Sequence, residues 1–295
     1  MINILSNSNE TTFNLATEEY FLKETQNEYF ILYINKPSVV IGRNQNPYEE
    51  VNIPFLLDND IQLVRRITGG GAVYHDLGNI NYSFIVNGLE HLNDYEYFTK
   101  KITEPLNKIG VPVTFREKSH IFLDNHKVSG NAQTFFKNRV LHHGTLLFST
   151  DIESLKGCLK PKVYVESKSI KSNRSQVKNI DEYVGYNTLL HTLLPNYRTF
   201  SDEEIQDIRK FEDKYFKWEW NYGESPRFTY SKSFSGYDLI ISVRNGLIQE
   251  AVLKKNLEKY PLSSIINEPF KMDTFESNRG IKEIDIILEN IKTLY

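Results

Sequence analysis

The chain has one cysteine in 295 residues, Cys158, so no intrachain disulfide can form and a reducing compartment is the simpler expectation. Neither sign of charge dominates. The net charge of -3 gives no support for wholesale nucleic-acid or membrane binding, although a local basic patch is still allowed. No window approaches the run of about 18 apolar residues that a membrane span needs. The opening residues, MINILSNSNETTFN, have no basic start followed by a long apolar stretch. Heptads, fixed-period repeats and low-complexity segments are also missing. These absences predict a cytoplasmic protein without nucleic-acid or membrane partners. What remains is an ordinary globular composition, 40% hydrophobic and 25% charged, with length for about two domains.

Periodicity divides the chain. Asn9 to Glu24 carries Phe13, Ala16, Tyr20 and Phe21 at helical spacing, which predicts an amphipathic helix. β-rich runs follow over Tyr29 to Ile34, Ser38 to Ile41 and Ile61 to Ile67, and Ile80 to Val86 alternates as a strand does. Tyr95, Phe98, Ile102, Leu106 and Ile109 form a helical core stripe that Gly110 and Pro112 end. Further strands are predicted over Val113 to Arg116, Ile121 to Asp124, Lys127 to Phe136 and Val140 to Phe148, with a hairpin turn at Lys137-Asn138-Arg139. Thr150 with Glu153, and Ser201 with Glu204, have capping-box spacing and each opens a helix, the first carrying Cys158. Between them Glu166 to Lys178 has no apolar period and reads as a long loop.

A boundary between Pro195 and Ser201 gives domains of residues 1–198 and 199–295. In the second, Asn245-Gly246 joins Tyr237 to Val243 and Leu247 to Leu253 as a hairpin, and Ile284, Ile287, Leu288, Ile291 and Leu294 form a closing helix. It is a small α+β unit without a catalytic cluster.

The chemistry collects in the first part. In Arg65 to Asn81, RRITGGGAVYHDLGNIN, three glycines separate two β-rich runs, with Arg66 before them and His75-Asp76 after. Such a run lets backbone N–H groups approach a phosphate or carboxylate closely; a tight turn with incidental charges is the plainer alternative. The strand ending in Gly42-Arg43-Asn44-Gln45-Asn46-Pro47 delivers polar groups to a sheet end, as a binding loop or a solvated one. Asp124 precedes Lys127-Val128-Ser129-Gly130-Asn131-Ala132, in which a cation sits beside an approachable backbone; a solvent-facing edge charge is the alternative. His142 and His143 point to opposite faces of a strand and cannot easily share a metal, so hydrogen bonding is the expectation for them.

The order RRITGGGAVYHDLGN, KVSGNAQ, LHHGTLLF, KSIKSNRSQVKNI closely resembles the lipoate-protein ligases of the superfamily that also holds biotin-protein ligases and octanoyl transferases. The resemblance spans nearly the whole chain, with WEWNYGESPRF (Trp218 to Phe228) opening an accessory domain like that of the bacterial ligases. It implies a mixed-sheet catalytic domain of the class II synthetase-like type plus a small α+β C-terminal domain, an α+β protein. It also implies a two-step reaction: lipoate and ATP, with Mg²⁺ whose ligands stay unassigned, give lipoyl-adenylate and pyrophosphate. The acyl group then passes to a lysine on an apo lipoyl domain, of an E2 subunit or the glycine-cleavage H protein. A monomer is expected.

By the same resemblance Lys127 is the catalytic residue, contacting the lipoate carboxylate and the α-phosphate. Arg66 and the backbone of Gly71, Ala72, Val73 and Tyr74 hold the nucleotide, while His75 and Asp76 shape the loop. Gly69, Gly70 and Asn79 complete the binding set from the first motif, Ser129, Gly130, Asn131 and Ala132 from the second, and His143, Gly144 and Thr145 from the third. Lys168 to Lys178 resembles the loop that closes over the adenylate, and its Lys168, Lys171, Arg174 and Lys178 are candidates to meet an acidic acceptor. Two departures stand out. Ser169 replaces the usual glycine of that loop, which alters the expected rate or geometry of closure, and the match after Ala251 is loose. Three competing readings remain: a lipoyl or octanoyl transferase using Cys158 as nucleophile, a biotin ligase, and a catalytically silent lipoate-binding protein. Cys158 is expected to be a small apolar residue on a helix.

Overall fold

A computed structural model describes the chain apart from residues 117–118, 160, 162–163, 173–174 and 292–295. Arg174 and Leu294, both assigned above, lie outside the described residues.

The central sheet has seven strands in the order β1 (Ile2–Leu5), β2 (Tyr29–Ile34), β6 (Asn79–Asn87), β10 (Arg139–Leu147), β9 (His126–Phe136), β8 (His120–Leu123) and β7 (Val113–Arg116). The β1–β2 pair is parallel and the others are antiparallel, so the sheet is mixed. Its interior strand β6 is buried from Asn79 to Val86, which requires cover on both faces. On one face lies the core that includes Phe84, Phe98, Ile102 and Leu106, supplied partly by α4 (Tyr95–Lys108). A small sheet of β4 (Gln62–Arg65), β3 (Ser38–Ile41) and β5 (Val73–His75) carries the glycine loop between β4 and β5.

The predicted helix near Asn9 is α1 (Thr11–Glu24), but it is not amphipathic: Thr12, Asn14, Thr17, Glu18 and Glu19 are buried along with its apolar residues. Two neighbours account for this: α7 (Asp202–Phe216) lies across Thr12 and Glu19, and the central sheet meets Glu18 through Tyr33, Ser83 and His143. Thr12 donates to Glu212 at 2.7 Å and Tyr215 donates to Glu19 at 2.8 Å, and Ile208 and Tyr215 share a core with Phe13 and Phe21. Ser201 does cap α7 with a full capping box, yet the helix packs in the first unit's core. Capping marks where a helix starts, not which core receives it.

The second sheet corrects the expectation in the other direction. Its order is β11 (Tyr164–Ser167), β12 (Phe228–Phe234), β13 (Tyr237–Arg244), β14 (Leu247–Lys255) and β15 (Glu258–Pro261). The start of the expected loop is therefore a strand, paired antiparallel with β12 from Tyr164↔Ser231 to Ser167↔Phe228. Asn245 and Gly246 both take positive φ, 52° and 71°, in the hairpin joining β13 and β14. The remaining helices are α2 (Pro47–Glu50), α3 (Ile53–Asp58), α5 (Ile152–Cys158), α6 (Tyr186–Leu193), α8 (Met272–Ser277) and α9 (Lys282–Asn290). Helix α5 is capped by Asp151, which accepts from the N–H groups of Glu153 and Ser154, and not by the expected Thr150. No helix among the described residues is long and apolar enough to cross a membrane.

Arg65, fully buried, ties the two units together. Its guanidinium donates to the carbonyls of Gly42, Arg43 and Gln45 on one side, and to those of Trp220 and Asn221 and the Ser225 hydroxyl on the other. The Trp220 indole and the Asn221 side chain bond back to the Arg65 backbone. Burial pulls this guanidinium's pKa down to about 10. Removing the side chain strands several buried acceptors, each costing about 1–3 kcal/mol. Arg65→Ala is expected to lose about 3 kcal/mol or more in urea unfolding, whereas Arg43→Ala, which breaks a half-exposed pair with Glu224, loses less than about 1 kcal/mol. Equal losses would remove the clamp from this account.

Candidate active site

The glycine loop folds around Arg66. This buried side chain donates from Nη1 to the Val40 carbonyl at 3.0 Å, and from Nη2 to the carbonyls of Gly69 at 2.6 Å and Gly71 at 2.8 Å. Its Nε donates to Thr68 Oγ1 at 2.8 Å. Burial lowers its pKa to about 10, with Glu18 among the groups that oppose the shift. Gly70 stands at φ +87°, and a Cβ there would come within 2.9 Å of Arg66 Nη2, so both its backbone and its neighbour require glycine. The Ala72 N–H donates to Ser172 Oγ at 2.9 Å.

Under the loop runs a buried polar chain. Thr68 Oγ1 lies 2.8 Å from His143 Nε2, and His143 Nδ1 lies 2.8 Å from Glu18 Oε2. Glu18 also accepts from Tyr33 at 2.8 Å and from Ser83. Burial alone would raise the Glu18 pKa, but His143 and these hydroxyls outweigh it and hold the carboxyl below its ordinary value. His75 is buried beside them. Asn35 gives its side-chain oxygen to Asn14, so its amide NH₂ faces His75 Nδ1, at 2.9 Å. The proton of His75 therefore sits on Nε2, a buried atom with no hydrogen-bond partner among the described residues, and the residue itself is part of the cleft lining. Burial, with Arg66 and His143 adding to it, drives its pKa down to about 3.

Opposite the loop, β9 brings Lys127 and Gly130, and β10 brings His143, Gly144 and Thr145. A Cβ on Gly130 would approach Lys127 Nζ to 3.0 Å, so the glycine leaves room for the ammonium group. His142 points to the other face, stacked on Phe98 at 4.5 Å and bonded to Gln133 and Asn131.

Two recesses result. One, of about 290 Å³, runs inward past Arg66, Gly70 and Asn131 to Leu15, Tyr33, His75 and His143. The other, of about 190 Å³, is walled by Tyr74, Leu147, Leu155 and Leu159. They share Ala72, Val73, Lys127, Gly130, Thr145 and Ser172. Ala132, Gly71 and Gly144 also line the first recess, and Ser129 the second.

Gly69, Asp76 and Asn79 line neither recess. Gly69 faces Arg66 through its carbonyl, Asp76 accepts from the N–H groups of Gly78 and Asp151, and Asn79 bonds Asn81. Glu18, Tyr33 and Thr68 were not predicted. The one signal for Glu18 was a carboxylate close behind an apolar helical stripe, which reads as a solvent face. Cys158 is fully buried at the end of α5, where burial and nearby Asp151 push its pKa up to about 12.

A glycine-loop cleft with a cation at its waist, built on this mixed sheet and joined to a C-terminal unit, defines an enzyme of the biotin/lipoate-ligase superfamily. The family model for the lipoyl protein ligase A/B catalytic domain matches residues 10–195, and the chain belongs to that family. It is similar to lipoate-protein ligase LplJ of Bacillus subtilis (strain 168), with 38% identity over 270 residues, covering 83% of this chain and 81% of that protein. Among solved structures, a Thermoplasma acidophilum protein assigned as a lipoate protein ligase, with bound lipoic acid, superposes at a TM-score of 0.64 with 25% identity. That match covers 75% of this chain and 98% of the other. A bipartite lipoate protein ligase from the same organism, described with its E2 lipoyl domain, gives 0.65 and 25% over 76% of this chain and 96% of that one.

His75 generates a pH prediction. Between its ordinary value of 6.5 and about 3, the unfolded chain binds a proton that the folded chain refuses. Its contribution to stability is thus complete above about pH 6.5 and is lost as pH falls, at up to about 1.4 kcal/mol per pH unit. Urea midpoints for His75→Gln are expected to fall less steeply than wild type from about pH 6 to about pH 4. Parallel curves would mean that the folded site accepts the proton.

Proposed function

We propose that the chain activates lipoate with ATP and then transfers the lipoyl group to a lysine of an acceptor lipoyl domain. The observation that carries this reading is the position of Lys127 at the junction of the two recesses. The first suits an acyl chain, with polar groups at its inner end. The second, with aliphatic walls and Tyr74, suits a nucleoside. Their meeting point is where carboxylate and α-phosphate must come together.

In the first step a lipoate oxygen attacks the α-phosphorus, and the bond to the bridging oxygen breaks to release pyrophosphate. Two anions meet, and a fixed cation with preorganised N–H groups offsets their repulsion. Lys127 supplies the cation and the Ala72 N–H is the available donor, exchanging Ser172 Oγ for a ligand oxygen. Arg66 acts through the loop it braces. In the second step the acceptor amine attacks the acyl carbon, AMP leaves with the bonding pair, and the amine gives its surplus proton to solvent.

Mg²⁺ neutralises phosphate charge when it accompanies the nucleotide. Among the described residues no group of three or more His, Cys, Asp or Glu could hold a metal, so the ion fits best when carried on the phosphates with its own waters. The similarity to a ligase described with its E2 lipoyl domain supports a lipoyl-domain acceptor for this chain. Of the basic loop residues, Lys171 already pairs with Glu49 at 3.1 Å and Lys178 with Glu182 at 3.2 Å, which limits what they offer an acidic partner. The cysteine-dependent transferase reading is disfavoured by burial of Cys158 in its protonated form.

The test is pyrophosphate release with ATP, Mg²⁺ and lipoate, beside the mass of an apo lipoyl domain. Lys127→Ala is expected to slow release by about 10²–10³-fold with the fold intact by circular dichroism. Gly130→Ala, by crowding the ammonium group, should cost about tenfold or more. Cys158→Ser should leave acyl transfer within about threefold of wild type, the range of a buried substitution that only perturbs packing. Near-wild-type release from Lys127→Ala would remove the assigned role, and acyl transfer without ATP would replace the ligase by a transferase.

A further inference from the structure

We propose that Glu49, with Ser169, forms a latch that holds the segment Ser167–Ser172 shut over the cleft and so keeps water from the activated acyl group. This rests on the two-step reading above. Glu49 lies in the last turn of the short helix α2, one residue before its end, and its side chain is only 10% exposed. The carboxylate accepts from Ser167 Oγ and from Ser169 Oγ at 2.5 Å, and it pairs with Lys171 at 3.1 Å. Three alternate residues of the segment thus converge on one partly buried anion. Burial raises the Glu49 pKa less than these donors lower it, so the anion is held charged below its ordinary range.

The residues between them are fixed to the same stretch of chain. Ile170 donates its N–H to Asn44 and accepts from Gln45 Nε2 at 3.1 Å, and the Ser172 N–H bonds the buried Glu50 carboxylate at 3.1 Å. Ile170, Lys171 and Ser172 form part of the cleft wall, whereas Ser169 faces Glu49. A glycine at 169 has no hydroxyl to give Glu49, so the residue noted as a departure supplies one of the three donors. Ser169 and Glu49 are positioning residues, since neither is placed to touch the reacting atoms.

The reaction opposed is hydrolysis of the mixed anhydride. Water adds to the acyl carbon, the bond to the phosphate oxygen breaks, lipoate and AMP separate, and the proton passes to solvent. Exclusion of water is the physical service of a closed lid.

The experiment uses the full chain. Ser169→Ala removes the hydroxyl without adding backbone freedom, Ser169→Gly removes the hydroxyl and adds that freedom, and Glu49→Gln keeps shape while losing charge. In ligand-free protein, amide exchange over residues 167–172 is expected to rise about tenfold in Ser169→Ala and more in Glu49→Gln. With ATP, Mg²⁺ and lipoate but no acceptor, AMP appearance after the pyrophosphate burst should quicken by about the same factor, while the burst rate stays within about twofold. A general structural defect would slow the burst as well. Unchanged exchange or unchanged AMP leakage in both Ser169→Ala and Glu49→Gln overturns the latch. Wild type that makes no pyrophosphate overturns the two-step reading, and with it the task given to the latch, while the exchange measurement still judges the contacts.

Discussion

Two adjacent guanidinium groups at the end of β4 organise this molecule from opposite sides. Among the described residues neither is bonded to a carboxylate; both are satisfied almost entirely by carbonyl oxygens. A buried arginine is tolerated only when its donors are spent, so each one dictates the path of the backbone that satisfies it. Arg65 gathers residues 42–45 and the turn at Trp220–Asn221, which seats the second unit. Arg66 gathers the glycine loop, which shapes the cleft. Seating of the second unit and shape of the cleft therefore share one strand end.

The polar groups beneath the loop follow from the same constraint. With Arg66 held close by, Glu18 is stabilised as an anion, and its bonds to His143, Tyr33 and Ser83 use its acceptor capacity. His75 meets the opposite field. Burial, with Arg66 and His143 adding to it, keeps it neutral, and its buried Nε2–H has no partner among the described residues. One cluster thus presents an anion already saturated with bonds and a donor that is not, which favours an acceptor atom at the inner end of the ligand.

What the sequence made legible was local. The strand pattern of β2, β3 and β6 to β10, the Asn245-Gly246 hairpin, and the glycine loop with Lys127 opposite it are written in periodicity, turn chemistry and motif order. What escaped was decided by distant partners. Thr12 and Glu19 find their partners on α7, and Glu18 on Ser83 and His143, all far along the chain, so nothing near the helix announces them. Glu166-Ser167 read as loop because their partner strand, β12, lies far along the chain. The helix that Ser201 caps shares a core with Phe13 and Phe21, and the second sheet includes β11 from earlier in the chain, pairings that no local signal announces.

That exchange of segments gives the lid its mechanics. The strand β11 runs straight into Ser167–Ser172, so one end of the cleft cover is hydrogen-bonded into the second sheet. The other end pairs with the site itself: Lys127 donates its N–H to the Gln176 carbonyl and accepts from the Lys178 N–H. The described residues on either side of this stretch are thus tied to two places, the neighbouring sheet and the backbone of Lys127, to which the catalytic role is proposed. Between β11 and the cleft-lining residues Ile170 to Ser172, the chain is held to Glu49 through Ser167 and Ser169.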